Sequence, residues 1–364
     1  MNNSGLDVYK EINDFYQKRG KKVNIALDIT GGTKAMSAGG AMAGSIIGAD
    51  VFYVANDNYS KKLRCPRPGS EYLKKIDNPY EVFGDIELEK VKTLWDKHNY
   101  GAAVEIISEI KEKISGPEKY ISFDILLNLS QAYKAWDEFD LNNALKKIKQ
   151  CQKNIKKFNL YKDYESILEK QESILKNLKD GLDQDMDLDF LTDTTLMTNL
   201  IFSIYANALR QEELNKFDLA ALLLYRIVEM MGQKRLAEHG INTSNPNLSP
   251  KEKEKYLNNM NKVSAEVSAL YEIEEFPKKI ANLQGYILLA ALDDPFVKDL
   301  NWHKYVGTLN ARNNSIFAHG YSFIKEKTYK SFKDVVTNLL DSFCQVEGIN
   351  KKEMLNNCTF KKYK

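Results

Sequence analysis

The sequence predicts an α+β chain in which a short β-α-β segment precedes a large all-α region. Two apolar runs of strand length, VNIALD (23 to 28) and DVFYVA (50 to 55), bracket a helix of small residues, AMSAGGAMAGSIIG. Such an order reads as parallel strands joined by a crossover helix. From about Ile86 onward apolar residues recur at helical spacing with almost no strand signal, as in VEIISEIKEKI and FDILLNLSQAYKAWDEF.

Taken in order, residues 6 to 19 predict an amphipathic helix with Leu6, Ile12, Phe15 and Tyr16 turned toward a core. The two strands and the helix between them follow. Residues 56 to 85 carry Pro66, Pro68, Gly69, Pro79 and Gly84 and read as a linker or an ordered connecting loop, with a domain boundary near Phe83. Beyond it, HNYGAAVEII, DEFDLNNALKKI and NKFDLAALLLYRI form a weak echo, anchored on Tyr100, Phe139 and Phe217, that supports stacked helical hairpins. The aspartate-rich stretch from Asp180 to Asp193 predicts a solvated connection. Helices are then expected at 193–215, 217–239, 251–274, 277–292, 299–317 and 328–346. The organisation is a partial α/β segment with its linker over 1–83, a helical hairpin domain over 84–180 and a helical bundle over 181–364.

Composition sets limits on function. Lys plus Arg number 52 and Asp plus Glu 50, so no global field draws the chain onto nucleic acid, and RNA binding has to come from local patches. The four cysteines, Cys65, Cys151, Cys344 and Cys358, include no CxxC pair, which argues against zinc and against a secreted disulfide framework. LAALLLY and YILLAAL fall far short of the roughly 20 apolar residues that span a bilayer, and the N-terminal residues do not resemble a signal peptide. A cytoplasmic protein without a membrane span is the expectation.

Two segments carry chemistry. DITGGTK (28 to 34) lies where a strand feeds a helix, the edge of a parallel sheet at which ligands bind. Gly31 and Gly32 allow close backbone approach, and Thr30, Thr33 and Lys34 add hydroxyls and a cation near a helix N-terminus that favours anions. A phosphate-bearing ligand suits that chemistry, and so does a purely structural glycine turn. The segment matches neither GxxxxGK[ST] nor GxGxxG, which leaves ATP hydrolysis and hydride transfer without support. Gly39, Gly40 and Gly44 each cost about 1 kcal/mol relative to alanine in a helix, so close packing is expected to offset them.

The second segment is RNNSIFAHG, with Arg312, Asn313, His319 and Gly320. Seven residues are two helical turns less about 20°, so on a continuous helix Arg312 and His319 share a face while standing about 10.5 Å apart along the axis. An arginine that grips phosphate and a histidine that moves a proton near neutral pH are what RNA cleavage without a metal needs. A helix C-terminal cap formed by His319 and a left-handed Gly320 fits the same letters. Arg226 and Glu229, three apart on an apolar helix, read as an interior pair or as support for the site. No second ligand stands at helical spacing from His98 or His303, and His239 precedes Gly240 as a helix terminus, so no metal site is expected.

TGGTKAM after a strand, together with RNNSIFAHG in a helical bundle, resembles the CARF–HEPN ancillary ribonucleases of type III CRISPR systems. The resemblance extends through LRCPRPGSEYLKKIDNPYEVFGD and FDLAALLLYRIVEMMGQKRLAEHGI and so covers most of the chain. It implies a Rossmann-like CARF sensor that binds cyclic oligoadenylate as allosteric activator, coupled to a homodimeric HEPN nuclease that cuts single-stranded RNA in antiviral defence and uses no cofactor. Thr30, Gly31, Gly32, Thr33 and Lys34 correspond to the ligand loop, and Arg312, Asn313 and His319 to the nuclease motif. The implied chemistry is attack by the RNA 2′-hydroxyl, leaving a 2′,3′-cyclic phosphate. Only two strands precede the linker, so the first half of the CARF domain is expected to be absent from this chain. A nucleotide-sensing helical protein without nuclease activity and a sensor-independent, toxin-like HEPN ribonuclease are the alternatives.

Overall fold

A computed structural model describes residues 4–19, 23–78, 84–112, 117–183, 187–266 and 274–362, and the boundary expected near Phe83 lies outside them. The chain divides into two compact units, Met1–Leu94 with Ala102–Leu127, and Trp95–Gly101 with Asn128–Lys364.

The first unit holds the α/β segment. Helix α1 (Gly5–Lys18) starts where the Ser4 hydroxyl accepts the Asp7 amide. Strand β1 (Ala26–Asp28), helix α2 (Lys34–Ile47) and strand β2 (Asp50–Asn56) form the expected β-α-β unit, with Ala26 opposite Asp50 in a parallel pair. The small residues of α2 admit close neighbours: a Cβ on Gly39 would collide with the Gly5 carbonyl of α1, and Gly40, Ala43 and Gly44 are buried. Contact with helix and sheet offsets the weak helix propensity of the glycines. The orientation expected of α1 does not hold for Leu6 and Phe15, which are 61% and 50% exposed, because backbone contact at Gly5 draws the glycine edge of the helix inward.

The segment read as a connecting loop contains further strands. After a short hairpin of β3 (Tyr59–Ser60) and β4 (Cys65–Pro66), strand β5 (Glu71–Ile76) pairs antiparallel with β2, Val51 opposite Ile76, giving the order β1-β2-β5. EYLKKI escaped the sequence reading because nearly all of its side chains are exposed. Backbone pairing forms this strand, and an alternating apolar pattern has no part in it.

Helices α3 (Asp85–Asp96), α4 (Tyr100–Lys111) and α5 (Pro117–Asp137) follow, and the division between the units falls within each. The second unit continues through α6 (Leu141–Phe158), α7 (Glu165–Leu182), α8 (Leu188–Thr192), α9 (Thr194–Glu213) and α10 (Phe217–Glu238). It ends with α11 (Pro250–Glu266), α12 (Asn282–Ala291), α13 (Trp302–Asn313), α14 (Glu326–Glu347) and α15 (Lys351–Cys358). Part of the acidic connection is structured: Asp187 and Asp193 cap α8 and α9 by accepting the Phe190 and Leu196 amides, each at 2.9 Å. The aromatic echo is not a repeat in register, because the left-handed residue before the new helix is His98, Phe139 and Asn215 in the three cases, so Phe217 stands two places later than Phe139.

Two clusters hold this unit together. Trp95, Tyr100, Tyr133 and Trp136 gather around Phe360, whose ring stacks on Tyr133 at 4.1 Å while the Arg210 guanidinium lies 3.8 Å above it. Arg210 is itself fixed by Asp137, with Nε to Oδ1 at 3.0 Å. The second cluster is charged. Arg235 on α10 bonds Asp294 at 2.8 Å and Glu347 of α14 at 2.7 Å, Lys234 lies 3.3 Å from Glu347, and His239 adds a 2.8 Å contact to Asp294.

Burial alone would push the Asp294 carboxyl up, but hydrogen bonds from Arg235, the Phe296 amide and His239 outweigh it and hold the group below its usual range. A depressed folded pKa means that stability is present above the unfolded value near pH 4 and is lost as the pH falls through the folded one. Asp294→Ala leaves Arg235 short of a buried partner and is expected to cost about 3–5 kcal/mol in urea unfolding at pH 7. That deficit should shrink when the measurement is repeated at a pH below 4.

Candidate active site

The helices that carry the RNNSIFAHG segment are positioned by two buried tyrosines. Tyr286 on α12 donates to the Val228 carbonyl of α10 at 2.9 Å, and its ring lies 4.7 Å from that of Tyr305 on α13. Tyr305 in turn donates to Asn282 Oδ1 at 3.1 Å. Each ring contributes apolar area while its hydroxyl finds a partner, so neither leaves a stranded donor in the core. At its start α13 is capped by Asn301, which accepts the Lys304 amide at 3.0 Å.

The helix expected over 299–317 stops at Asn313, so Arg312 and His319 do not share one helical face. Ser315 N–H turns back to the Arg312 carbonyl, and the chain folds into a tight loop in which Ala318 N–H and Gly320 N–H both reach Ser315 O. His319 N–H lies 3.3 Å from the Asn313 carbonyl, and Ser322 N–H is 3.1 Å from that of Asn314. Buried Ser315 anchors this loop, and Ile324 N–H, 3.0 Å from Asp218 Oδ1 on α10, fastens its far end. The capping alternative fails as well: Gly320 lies beyond the helix and is not left-handed, and a Cβ there would strike the Asn314 backbone.

The turn brings the His319 amide back to the Asn313 carbonyl, so the motif backbone folds on itself where a continuous helix was expected. Arg312 is half-buried, with its guanidinium 4.2 Å over the Tyr225 ring of α10 and Nη1 3.2 Å from Asn313 Oδ1. Asn313 and His319 are exposed. Arg226 and Glu229 do pair, at 3.2 Å, but on the surface and not in the interior, since Arg226 is exposed; the Glu229 carboxylate also acts on the Tyr225 hydroxyl one turn before it. Half-burial, with the Glu229 carboxylate, pushes the Tyr225 phenol up against the opposing pull of Asn282 and Arg312. Sequence reading missed Tyr225 because an aromatic within LLLYRI reads as core. A cavity of about 460 Å³ at the other end of α13, lined by Asn301, Lys304, Asp334 and Ser342, contains none of the three motif residues.

In the first unit, the TGGTK loop is held by its own threonines. Thr30 donates to Asp28 and accepts the Val54 amide at 2.7 Å, and Thr33 caps α2 through the Met36 amide. Gly31 and Lys34 are exposed, and Gly32 is left-handed at φ 97°. With the Thr30 proton given to Asp28, the groups left to meet an anion are the glycine backbone, the Thr33 O–H and the Lys34 ammonium at the start of α2. Among the described residues no group of His, Cys, Asp and Glu could hold a metal ion, and no helix is long and apolar enough to cross a membrane.

A small α/β segment followed by a large α-helical bundle is the domain order of the CARF–HEPN class of ribonucleases. Residues 83–182 match the model of the Csm6 6H domain and residues 192–342 that of the Csm6 HEPN domain; the chain belongs to the Csm6 family. It is 28% identical over 346 residues to the CRISPR system endoribonuclease Csm6 of Thermus thermophilus, covering 92% of this chain and 72% of that relative. Its fold is similar to that of Enterococcus italicus Csm6 bound to cyclic hexa-2′-fluoro-hexa-dAMP, with a TM-score of 0.51 and 10% identity over 96% of this chain and 77% of the other.

Because Gly320 touches the Asn314 backbone, Gly320→Ala is expected to introduce about 1–3 kcal/mol of overpacking confined to the motif turn. Hydrogen exchange should show the Ser322 and Ile316 amides losing roughly tenfold or more in protection while those of α14 keep theirs.

Proposed function

We propose that this chain is an endoribonuclease of CRISPR antiviral defence that cleaves single-stranded RNA without a metal and is activated by cyclic oligoadenylate. The observation that carries the reading is the place of Arg312 and Asn313 at the end of a helix, with His319 on the exposed turn that folds back to Asn313, within the segment matched as a Csm6 HEPN domain. The name of the Thermus relative supports the activity, and the ligand in the Enterococcus structure supports the activator.

In the reaction, the ribose 2′-oxygen forms a bond to the adjacent phosphorus as its proton passes to a base, and the bond from phosphorus to the 5′-oxygen breaks. The leaving oxygen takes a proton, giving a 2′,3′-cyclic phosphate and a 5′-hydroxyl. His319 acts as base or acid, Arg312 stabilises the charge that develops on the phosphate, and Asn313 positions it. Two proton transfers call for two groups, and one chain offers one motif histidine. We assign the second to the same residue of another copy in a homodimer. Ile316, Phe317, Tyr321 and Phe323, from 47% to 95% exposed around His319, form an apolar rim suited to burial against that copy. The sensor is residues 1–83, with Thr30, Gly31, Gly32, Thr33 and Lys34 at its ligand loop, followed by a helical domain over 84–180 and the nuclease over 181–364. The protein acts in the cytoplasm.

The test is cleavage of a fluorescent single-stranded RNA by purified protein in EDTA, with and without cyclic tetra- or hexa-adenylate. Arg312→Ala and His319→Ala are each expected to lower the rate by about 10²–10⁴-fold. A His319→Ala protein of full activity sinks the assignment. Lys34→Ala should raise the activator concentration needed for half-maximal rate by about tenfold and leave the fully activated rate in place. Ligand binding without turnover would instead identify a sensing module, and cleavage indifferent to the activator a free-running ribonuclease.

A further inference from the structure

Arg312 is an unusual cation in its surroundings. Among the described residues it makes no ion pair, although the Glu229 carboxylate is near enough to act on the neighbouring Tyr225 hydroxyl. Its Nε is buried without a partner, and its guanidinium rests 4.2 Å from the centre of the Tyr225 ring. A carboxylate in that place would neutralise the charge and occupy the donors that a phosphate needs. An aromatic face attracts the guanidinium through its quadrupole and leaves the in-plane N–H edges open.

The ring is itself held. Tyr225 and Glu229 are four apart, one turn of α10; Asn282 of α12 and Glu229 both act on the Tyr225 hydroxyl, and the Glu229 carboxylate is paired with Arg226 at 3.2 Å. The three side chains form a relay along one helix that ends at the face on which Arg312 rests. On the opposite side, Asn313 Oδ1 takes Nη1 at 3.2 Å. The guanidinium is thus gripped by a ring on its face and an amide at one corner.

We propose that Tyr225 is a positioning residue of the ribonuclease site, its ring holding the Arg312 guanidinium so that the N–H edge not used by Asn313 meets the scissile phosphate, with Glu229 and Arg226 fixing the ring. The proposal rests on the reading of Arg312 as the group that stabilises phosphate charge. Tyr225 touches neither RNA nor reacting atoms; it acts through Arg312.

The experiment measures kcat and KM for single-stranded RNA cleavage by the full chain with saturating cyclic oligoadenylate, alongside thermal melting. The variants are Tyr225→Phe, Tyr225→Leu, Arg312→Ala and the double variant Tyr225→Leu/Arg312→Ala. Loss of the ring in Tyr225→Leu should lower kcat roughly 10–30-fold with KM nearly unchanged, the size of a desolvated cation–π contact. Tyr225→Phe keeps the ring and should stay within about threefold, the size of one lost hydrogen bond. The double variant should be no slower than Arg312→Ala, because the ring works only through the guanidinium. A Tyr225→Leu protein within twofold of the parent, or losses that multiply in the double variant, overturns the proposal. Should Tyr225→Leu unfold, the same question is put by Glu229→Ala, whose loss in kcat must vanish in a Tyr225→Phe background; a loss that persists there overturns the relay. Full activity in Arg312→Ala is a different outcome, and removes the catalytic reading on which the proposal stands.

Discussion

The hydrogen bond from Tyr286 to the Val228 carbonyl sets the spacing on which the nuclease half depends. It joins α12 to the middle of α10, and the same ring packs at a tilt against Tyr305 and so carries α13 with it. Three helices therefore take their separation from one aromatic pair. The last turn of α13 comes to rest beside Tyr225, one turn before Val228 on the same helix. A side chain of another volume at Tyr286 would move Arg312 without touching it.

How much of this was legible in the sequence depends on the range of the interaction. The bundle was legible, because apolar spacing is a local property, and the helices found over 194–213, 217–238 and 326–347 lie within a few residues of those expected. The β-α-β unit was legible for the same reason. Strand β5 was hidden because its stability lies in backbone pairing with β2 and its side chains face solvent. The residue types of the motif were readable while their geometry was not. Spacing placed Arg312 and His319 on one helix, and the helix ends because buried Ser315 and the contact of Gly320 with the Asn314 backbone favour a turn. Tyr225 was invisible for a related reason: that an aromatic lies under a cation from another helix is a fact of tertiary structure.

The two candidate loops illustrate different ways of holding charged chemistry. TGGTK is stabilised from within, its threonine hydroxyls bonded to Asp28, Val54 and Met36, so its shape is fixed before any ligand arrives. RNNSIFAHG closes on itself through its backbone but is tied at its two ends to α10, Arg312 to Tyr225 and the following Ile324 to Asp218, and it leaves Asn313 and His319 open to solvent. The first arrangement suits recognition by backbone, where rigidity lowers the entropy lost on binding. The second leaves the His319 imidazole open to solvent and depends on a neighbouring helix for the position of Arg312.

Phe360 carries a consequence for synthesis. Its ring stacks on Tyr133 beneath Arg210, and the Lys361 amide lies 3.2 Å from the Tyr133 hydroxyl, so the aromatic core of the second unit is closed by residues from the far end of the chain. Contacts so distant in sequence form only after the intervening residues exist, and a nascent chain emerges from the N-terminus onward. On the ribosome, Tyr133 waits for more than two hundred residues before its stacking partner is made. The RNNSIFAHG turn is synthesised before the bundle beneath it can close. Closure of this cluster therefore waits on Phe360, whatever the order in which the helices before it form.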